Sequence, residues 1–174
     1  MTLPVAPNAI TMSQIQTEFG GSNPISLSEY YGVYPGVPGS GEIAMGDFHG
    51  LNANLITVTE GTDTDYGGCY GFDDGTHGGA PVVGPMGSRS PTSWNGVTLE
   101  AAYWVTNFTF FYIVFQGNRA KSFFTSVAIE GIGTKTSASA YSYFYDSPTN
   151  ATYWYWVTAQ GGWNGSGTRT LTFA

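Results

Sequence analysis

The sequence predicts a mainly β protein: an antiparallel β-sandwich of jelly-roll type, preceded by an extended N-terminal segment with short capped helices. Three observations favour this fold class. Short stretches of alternating apolar and polar residues follow residue 52, the chain of 174 residues contains 25 glycines, and 16% of its residues are aromatic. Before residue 52, short helical signals replace the alternation. We therefore predict two domains, residues 1–51 and residues 52–174.

Three similar phrases organise the N-terminal segment: ITMSQI from Ile10, ISLSEY from Ile25 and IAMGDF from Ile43. In the first two phrases a hydroxyl residue stands three positions before Gln or Glu. This is the spacing of a capping box, in which each side chain accepts a hydrogen bond from the backbone N–H of the other residue. The third phrase keeps the acid, Asp47, but has Ala44 at the cap position. The glycines expected to end the three helical turns are Gly20, Gly32 and Gly50.

Each phrase also places an apolar pair at the two positions of a hydrophobic staple. The pairs are Ile10 with Ile15, Ile25 with Tyr30, and Ile43 with Phe48. Helices of one or two turns do not persist alone in water, and a segment of about 50 residues buries little apolar surface by itself. We therefore expect neighbouring molecules to hold this segment, with the six staple residues as its docking interface.

The run ITMSQIQTEFGGSNPISLSEYYGV, followed by VPGSGEIAMGDFHG, resembles the N-terminal segments of virion structural proteins of tailed bacteriophages, often minor tail or tail-fibre components. The resemblance ends at Gly50, and the rest of the chain resembles no family. It implies a protein assembled into a virion in the host cytoplasm, with other virion proteins as its partners. Symmetric surroundings of that kind favour a homo-oligomer, which we expect to be a trimer.

From residue 52 onwards, the pattern predicts about seven or eight strands, as in sandwich and barrel folds. The clearest are Leu55–Glu60, Val97–Val105, Phe108–Gln116, Ser126–Glu130, Thr134–Tyr145, Thr152–Thr158 and Thr168–Phe173. The glycine-rich stretch Gly61–Pro91 is expected to form short strands joined by long surface loops, which are often functional.

Aromatic residues are the best candidates for function. The strand TYWYWVT alternates Tyr153, Tyr155 and Val157 against Trp154 and Trp156. Because only one face of a sandwich strand points into the core, we expect the other face to hold an exposed or interface-buried aromatic patch. A crossing loop or the N-terminal segment covering these rings is the alternative. The candidate ligand or interface aromatics are Trp94, Tyr153, Trp154, Tyr155, Trp156 and Trp163.

Charge is distributed unevenly along the chain, whose net charge is −7. Residues 1–88 contain nine acids and no Lys or Arg, whereas residues 89–174 contain three acids and five basic residues. This split disfavours nucleic-acid binding, which needs clustered basic residues. The acidic half could be attracted to a basic surface on a partner, or it could serve solubility alone.

Membrane insertion and disulfide bonding are not expected. The longest apolar run, Phe108–Phe115, is far too short to span a bilayer, and the N-terminus does not read as a signal peptide. Cys69 is the single cysteine, which excludes a disulfide within the chain.

No catalytic motif is present in the sequence, and we expect neither an enzyme nor a cofactor. Asp63, Asp65, Asp73 and Asp74 offer oxygen ligands for calcium, but their spacing matches no EF-hand loop, so solvated turns are the preferred interpretation. The same acids, with Glu60, could supply the carboxyl pair of an enzyme that cuts polysaccharide.

The preferred function is therefore a non-enzymatic virion component: a tail-fibre, adaptor or baseplate-associated protein that docks through its N-terminal segment and projects a β-sandwich. The alternatives are a capsid decoration or cement protein and a module that binds host surface glycans. A glycan-binding module would need exposed Trp or Tyr rings on one sheet face.

Overall fold

The computed structural model describes residues 2–64, 68–76, 84–158 and 162–174. The chain divides into two compact units, Met1–Asn54 and Leu55–Ala174. The division therefore follows Asn54, where the sequence places it after residue 51. Each unit has a hydrophobic cluster made of its own residues.

The N-terminal unit contains the three expected helical turns. Helix α1 spans Met12–Phe19, and two 3₁₀ helices span Leu27–Tyr30 and Met45–Phe48. At the start of α1, the N–H of Thr11 donates to Oε1 of Gln14 at 2.8 Å, and the N–H of Gln14 donates to Oγ1 of Thr11 at 3.2 Å. The predicted capping box is confirmed here, and it satisfies two backbone donors that the helix leaves unpaired.

The two 3₁₀ helices start in a related way. The N–H of Ser26 donates to Oε1 of Glu29 at 3.1 Å, while Oγ of Ser26 accepts from the N–H of Ser28 at 3.3 Å. In the third copy, Oδ2 of Asp47 accepts from the N–H of Ala44 at 2.8 Å. Ala44 has no side-chain oxygen to return the bond. This copy is therefore capped from one side only, as the sequence predicts.

One residue from each copy lies at the centre of the N-terminal unit. Ile15 and Phe48 are fully buried, Tyr30 is 2% exposed, and all three hold the same position relative to their caps. The rings of Tyr30 and Phe48 meet edge to face with centroids 5.9 Å apart. Leu3 and Val37 complete the buried cluster. The repeat thus combines apolar side chains that no single turn could bury.

The two ends of this unit are joined to each other. The N–H of Leu3 donates to the carbonyl of Leu51 at 2.9 Å, and the N–H of Gly50 donates to the carbonyl of Pro4 at 3.0 Å. These bonds bring the first residues of the unit beside its last ones. The unit is a closed structure rather than an extended segment.

This interior corrects the predicted docking interface. All six staple residues belong to the unit's own cluster: Ile15, Tyr30 and Phe48 are buried, and Ile10, Ile25 and Ile43 are partly buried against them. A single turn considered alone cannot bury its apolar face, and this is why the sequence predicts that neighbouring molecules hold the turns. Because the three turns share one core, these side chains are already packed within the chain.

The second unit is an antiparallel β-sandwich, so the predicted mainly β fold is confirmed. Its strands are β1 Leu55–Thr59, β2 Gly61–Asp63, β3 Cys69–Asp73, β4 Ser88–Ser90, β5 Ser93–Trp94, β6 Val97–Val105, β7 Phe110–Gln116, β8 Ser126–Ile129, β9 Gly133–Thr136, β10 Ser142–Asp146, β11 Ala151–Val157 and β12 Thr168–Phe173. The small sheet has the order β4-β1-β12-β8-β9, and the large sheet has the order β10-β11-β7-β6-β3-β2, with β5 paired to β6.

One predicted strand is two strands in the structure. The sequence suggests a single strand over Thr134–Tyr145, but β9 lies in the small sheet and β10 in the large sheet. Between them, the N–H of Ser139 donates to Oγ1 of Thr136 at 3.1 Å, and its Oγ donates to the carbonyl of the same residue at 2.9 Å. This local turn interrupts a period-two pattern that continues in the sequence.

Candidate functional site

Four of the six candidate aromatics lie in the interior of the sandwich. Residues of both sheets form its main core, and these four side chains are at most 8% exposed within it. They are Trp94, Trp154, Trp156 and Trp163. They are therefore core residues and not ligand or interface aromatics. Strand β5 and the loop before β12 carry Trp94 and Trp163 inward, which the sequence does not show.

Buried indole rings need a partner for their N–H group. Nε1 of Trp154 donates to the carbonyl of Lys121 at 3.2 Å, and Nε1 of Trp163 donates to the carbonyl of Glu130 at 2.9 Å. The tryptophans therefore fill the core and also fix the backbone of connecting segments.

The remaining two candidates lie on the other face of the large sheet, here called the outer face. Tyr153 and Tyr155 alternate with the two core tryptophans of β11, as the sequence predicts. In the pairing with β7, Tyr153 stands opposite Val114 and Tyr155 stands opposite Tyr112. Strands β6, β7 and β11 thus share a second apolar cluster on this face.

The central part of the outer face is buried. Tyr103 and Tyr112 are 0% and 4% exposed, and their rings stack with centroids 5.2 Å apart. Burial raises the pKa of both hydroxyls, and the nearby carboxylate of Asp73 raises that of Tyr103 further. Tyr153 is 1% exposed and stacks on Phe144 with centroids 4.6 Å apart. These rings form a covered layer and are not a binding surface.

At one end of the outer face, the aromatic layer reaches the surface. We call this region the aromatic patch, and it comprises Phe108, Phe110, Tyr141, Tyr155 and Val157. Phe108 is 49% exposed, Tyr141 is 69% exposed and Val157 is 50% exposed. The ring of Phe110 lies 4.9 Å from that of Tyr155 and 5.7 Å from that of Tyr141. A continuous set of rings therefore extends from the covered layer to solvent.

The hairpin between β6 and β7 supports the patch. Thr109 has a φ of +54°, a backbone conformation that is strained for a β-branched residue. Its carbonyl accepts from the N–H of Thr158 at 2.7 Å, which ties the hairpin to the end of β11. The rings of Phe108 and Phe110, on either side of Thr109, are 6.3 Å apart and nearly parallel, at 16°. The strained residue thus lies between two rings of the patch.

Charge plays little part in what the patch can bind. It contains no Asp, Glu, Lys, Arg or His, and its side-chain polar groups are the hydroxyls of Tyr141 and Tyr155. Such a surface binds by ring packing and by a few hydrogen bonds. The sequence identified Tyr155, but it did not identify Phe108, Phe110 and Tyr141. The strand signal placed the first two in a strand covered on both faces, and Tyr141 in the interior of a strand.

The acids considered for catalysis or calcium are engaged in structural contacts. The side chain of Glu60 is buried and accepts from Nε of Arg169 at 2.6 Å and from the N–H groups of Asn164 and Gly165, both at 2.7 Å. It therefore joins the end of β1 to the loop before β12. Three donors on one carboxylate indicate a structural clamp.

Two aspartates of the glycine-rich region hold local turns. Asp73 accepts from the N–H of Gly75 at 2.7 Å, and Asp74 accepts from the N–H of Thr76 at 3.0 Å. Asp74 also pairs with Arg89 at 3.5 Å. Asp63 accepts from the N–H of Gly84 at 2.8 Å, while Asp65 and His77 lie outside the described residues. Among the residues that the structure describes, no three His, Cys, Asp or Glu side chains are grouped closely enough to hold a metal ion.

Comparison with protein-family models, curated proteins and solved structures finds no match to this chain. In the described ranges, no helix has the length and apolar character needed to cross a membrane. The function must therefore be inferred from the aromatic patch, the two units and the sequence itself.

Proposed function

We propose that this chain is a non-enzymatic structural component of a bacteriophage virion, of the tail-fibre, adaptor or baseplate-associated kind. In this proposal the N-terminal unit attaches to a neighbouring virion protein, and the β-sandwich presents the aromatic patch to a partner. The aromatic patch is the observation that supports a binding role for the β-sandwich, since exposed aromatic clusters mark interaction surfaces. Virion membership is supported by the resemblance of the first 50 residues to virion proteins of tailed phages.

Attachment of the N-terminal unit would depend on its exterior, because its staple residues are packed in the unit's own cluster. Residues 1–54 contain four acids and no Lys or Arg. Three of these acids, Glu18, Glu29 and Asp47, accept backbone N–H groups, and Glu42 is exposed. Because all the Asp, Glu, Lys and Arg side chains of this unit are acidic, a partner with a basic surface is favoured.

A host-glycan-binding module is the second candidate function. The exposed ring of Tyr141 favours it, because a flat ring with a hydroxyl group can stack on a sugar and donate a hydrogen bond. A capsid decoration protein would use the same two units on the head of the particle.

Location in an intact particle tests the virion proposal. Antibodies raised against the full chain would be imaged on purified particles by electron microscopy. We expect label on the tail or baseplate. Label on the head would support the decoration alternative, and purified particles without this chain would contradict a structural role.

Glycan binding is tested on an array of bacterial surface polysaccharides with the full chain. If the patch binds sugar, Tyr141→Ala should weaken binding by about tenfold or more, since loss of a central ring contact commonly costs more than 1 kcal/mol. Val5→Ala, at another exposed apolar residue with 59% exposure, is the matched control. Equal binding by both variants would exclude the patch as a glycan site.

A further inference from the structure

Strand β10 is an open edge of the large sheet. Among the described residues, it pairs with β11 on one side and with no strand on the other. An edge strand presents backbone N–H and C=O groups that another strand can join. All five residues of β10, Ser142–Asp146, are partly exposed. The edge is therefore accessible to a partner.

The other edges carry features that discourage pairing. On the small sheet, β9 includes Lys135, and β4 has only three residues, with Arg89 at its centre and Pro91 directly after it. On the large sheet, β2 has three residues. Lysine, proline and short length are common protections of sheet edges. By contrast, β10 has five residues, three of them aromatic, and no Lys, Arg, Pro or Gly.

We propose that β10 pairs antiparallel with β10 of a second copy of this chain, around a two-fold axis at Phe144. In this register Phe144 of one copy faces Phe144 of the other copy. Tyr143 of each copy faces Tyr145 of the other, and Ser142 of each faces Asp146 of the other. Opposite residues of an antiparallel pair point to the same face of the sheet. Ser142, Phe144 and Asp146 therefore meet their counterparts on the outer face.

The charge of the strand fits this register. Asp146 is the one residue of β10 that is charged at neutral pH, and it stands opposite a serine hydroxyl that can donate to it. Its carboxylate accepts one bond within its own copy, from Thr149, and has lone pairs left for another donor. A register centred on Asp146 would bring two carboxylates together and is disfavoured.

The aromatic content of the strand fits as well. Phe144 already stacks on Tyr153 at 4.6 Å and 5°. Pairing around Phe144 brings the phenylalanines of the two copies side by side and extends this row of rings across the axis. Aromatic cross-strand pairs stabilise antiparallel sheets.

The pairing creates one continuous sheet from two copies. A two-fold axis perpendicular to the sheet keeps both outer faces on the same side, so the two aromatic patches point in one direction. This arrangement would let the pair bind a repetitive surface at two points. It gives a dimer rather than the trimer expected from the sequence, and it does not depend on the proposed virion role.

The mass of the full chain in solution, measured by analytical ultracentrifugation, tests the proposal. At a chain concentration of about 100 μM we expect a dimer, because association with a Kd of about 1 μM is nearly complete at that concentration. Ser142→Asp places two carboxylates opposite each other twice per dimer and should raise the Kd at least tenfold. Ser142→Lys places opposite charges together and should lower it. The control is Thr134→Asp, the same charge change at an exposed position of β9, which should leave the Kd unchanged.

Cross-linking provides a second test that does not depend on the charge variants. Phe144→Cys places two thiols across the axis, within the Cα separation that a disulfide needs. With oxidised glutathione as the oxidant, this variant should form a covalent dimer. The control is Tyr141→Cys, because residue 141 does not face itself in this register. A monomeric or trimeric wild-type chain, or equal cross-linking by both variants, would overturn the proposal.

Discussion

Two acidic side chains of the N-terminal unit and one of the β-sandwich accept hydrogen bonds from donors at very different distances along the chain. In the N-terminal unit, Glu29 and Asp47 each accept from a backbone N–H three residues earlier. In the sandwich, Glu60 accepts from Asn164 and Arg169, more than a hundred residues later. The caps of the first unit thus form from local contacts, while the Glu60 contacts of the second unit form only when distant segments meet.

This difference also separates the two cores. The small core takes one residue from each of three local turns, whereas the main core takes residues from both sheets. Among the residues that the structure describes, each cluster is built from residues of its own unit. We therefore expect each unit to respond to core mutations by itself.

The largest expected effect comes from removing one ring in each core. Trp154→Ala in the sandwich and Phe48→Ala in the N-terminal unit should each cost about 3–5 kcal/mol, because both side chains are fully buried. Hydrogen exchange followed by mass spectrometry should show lost protection only in the unit that carries the mutation. Loss of protection in both units from either variant would contradict the independence of the two cores.

The next largest effect concerns the carboxylate of Glu60, whose partners lie far along the chain. Glu60→Ala should lower the free energy of unfolding of the sandwich by about 3 kcal/mol, because Arg169 and two N–H groups lose a buried partner. Denaturant titration measures this loss. Glu130→Ala is the control, since Glu130 is exposed and accepts from Thr170 at 3.0 Å. A loss for Glu60→Ala no larger than that of the control would show that the clamp is unimportant.

High pH should destabilise the sandwich through its buried tyrosines. Burial raises the pKa of Tyr103 and Tyr112 above the ordinary value of 10.0, so the unfolded chain releases these protons first as pH rises. The stability that these two tyrosines contribute is fully present below pH 10. Above pH 10 it falls by about 1.4 kcal/mol per pH unit for each proton that the unfolded chain has released and the folded chain still holds. Denaturant titrations between pH 9 and pH 11 measure this slope. Tyr103→Phe should reduce it, and an unchanged slope would exclude Tyr103 as its source.

The smallest effect concerns the local caps. Ser26→Ala should destabilise the N-terminal unit by about 1 kcal/mol, and Ala44→Ser should stabilise it by about 0.5–1 kcal/mol, because the third copy lacks a cap hydroxyl. Hydrogen exchange of the unit's amides measures both changes. Stabilisation by Ala44→Ser would show that the three copies follow the same local rule, and a destabilised variant would refute it.

Features that depend on a few neighbouring residues were predictable from the sequence. The first capping box follows from the spacing of Thr11 and Gln14, and the turn glycines adopt the positive φ that such positions favour, as at Gly32 with φ +64° and Gly50 with φ +72°. The alternation of β11 also predicts which side chains oppose the core tryptophans. Each of these signals is contained within one element.

The features that the sequence did not reveal depend on which elements meet. Ile15 and Phe48 share a core because three turns converge, and no local pattern states this. Trp163 is carried inward by a loop whose path depends on the clamp at Glu60. The aromatic patch likewise needs Tyr141 to lie beside Phe110, although Tyr141 directly precedes β10 and Phe110 begins β7. Sequence spacing alone does not contain these neighbours.

The bonds between Leu3 and Leu51 and between Pro4 and Gly50 give the N-terminal unit adjacent entry and exit points. A unit of this kind can be transplanted into unrelated polypeptides with little disturbance to either part. Under the proposed virion role, the same unit would carry its attachment to chains with different distal domains.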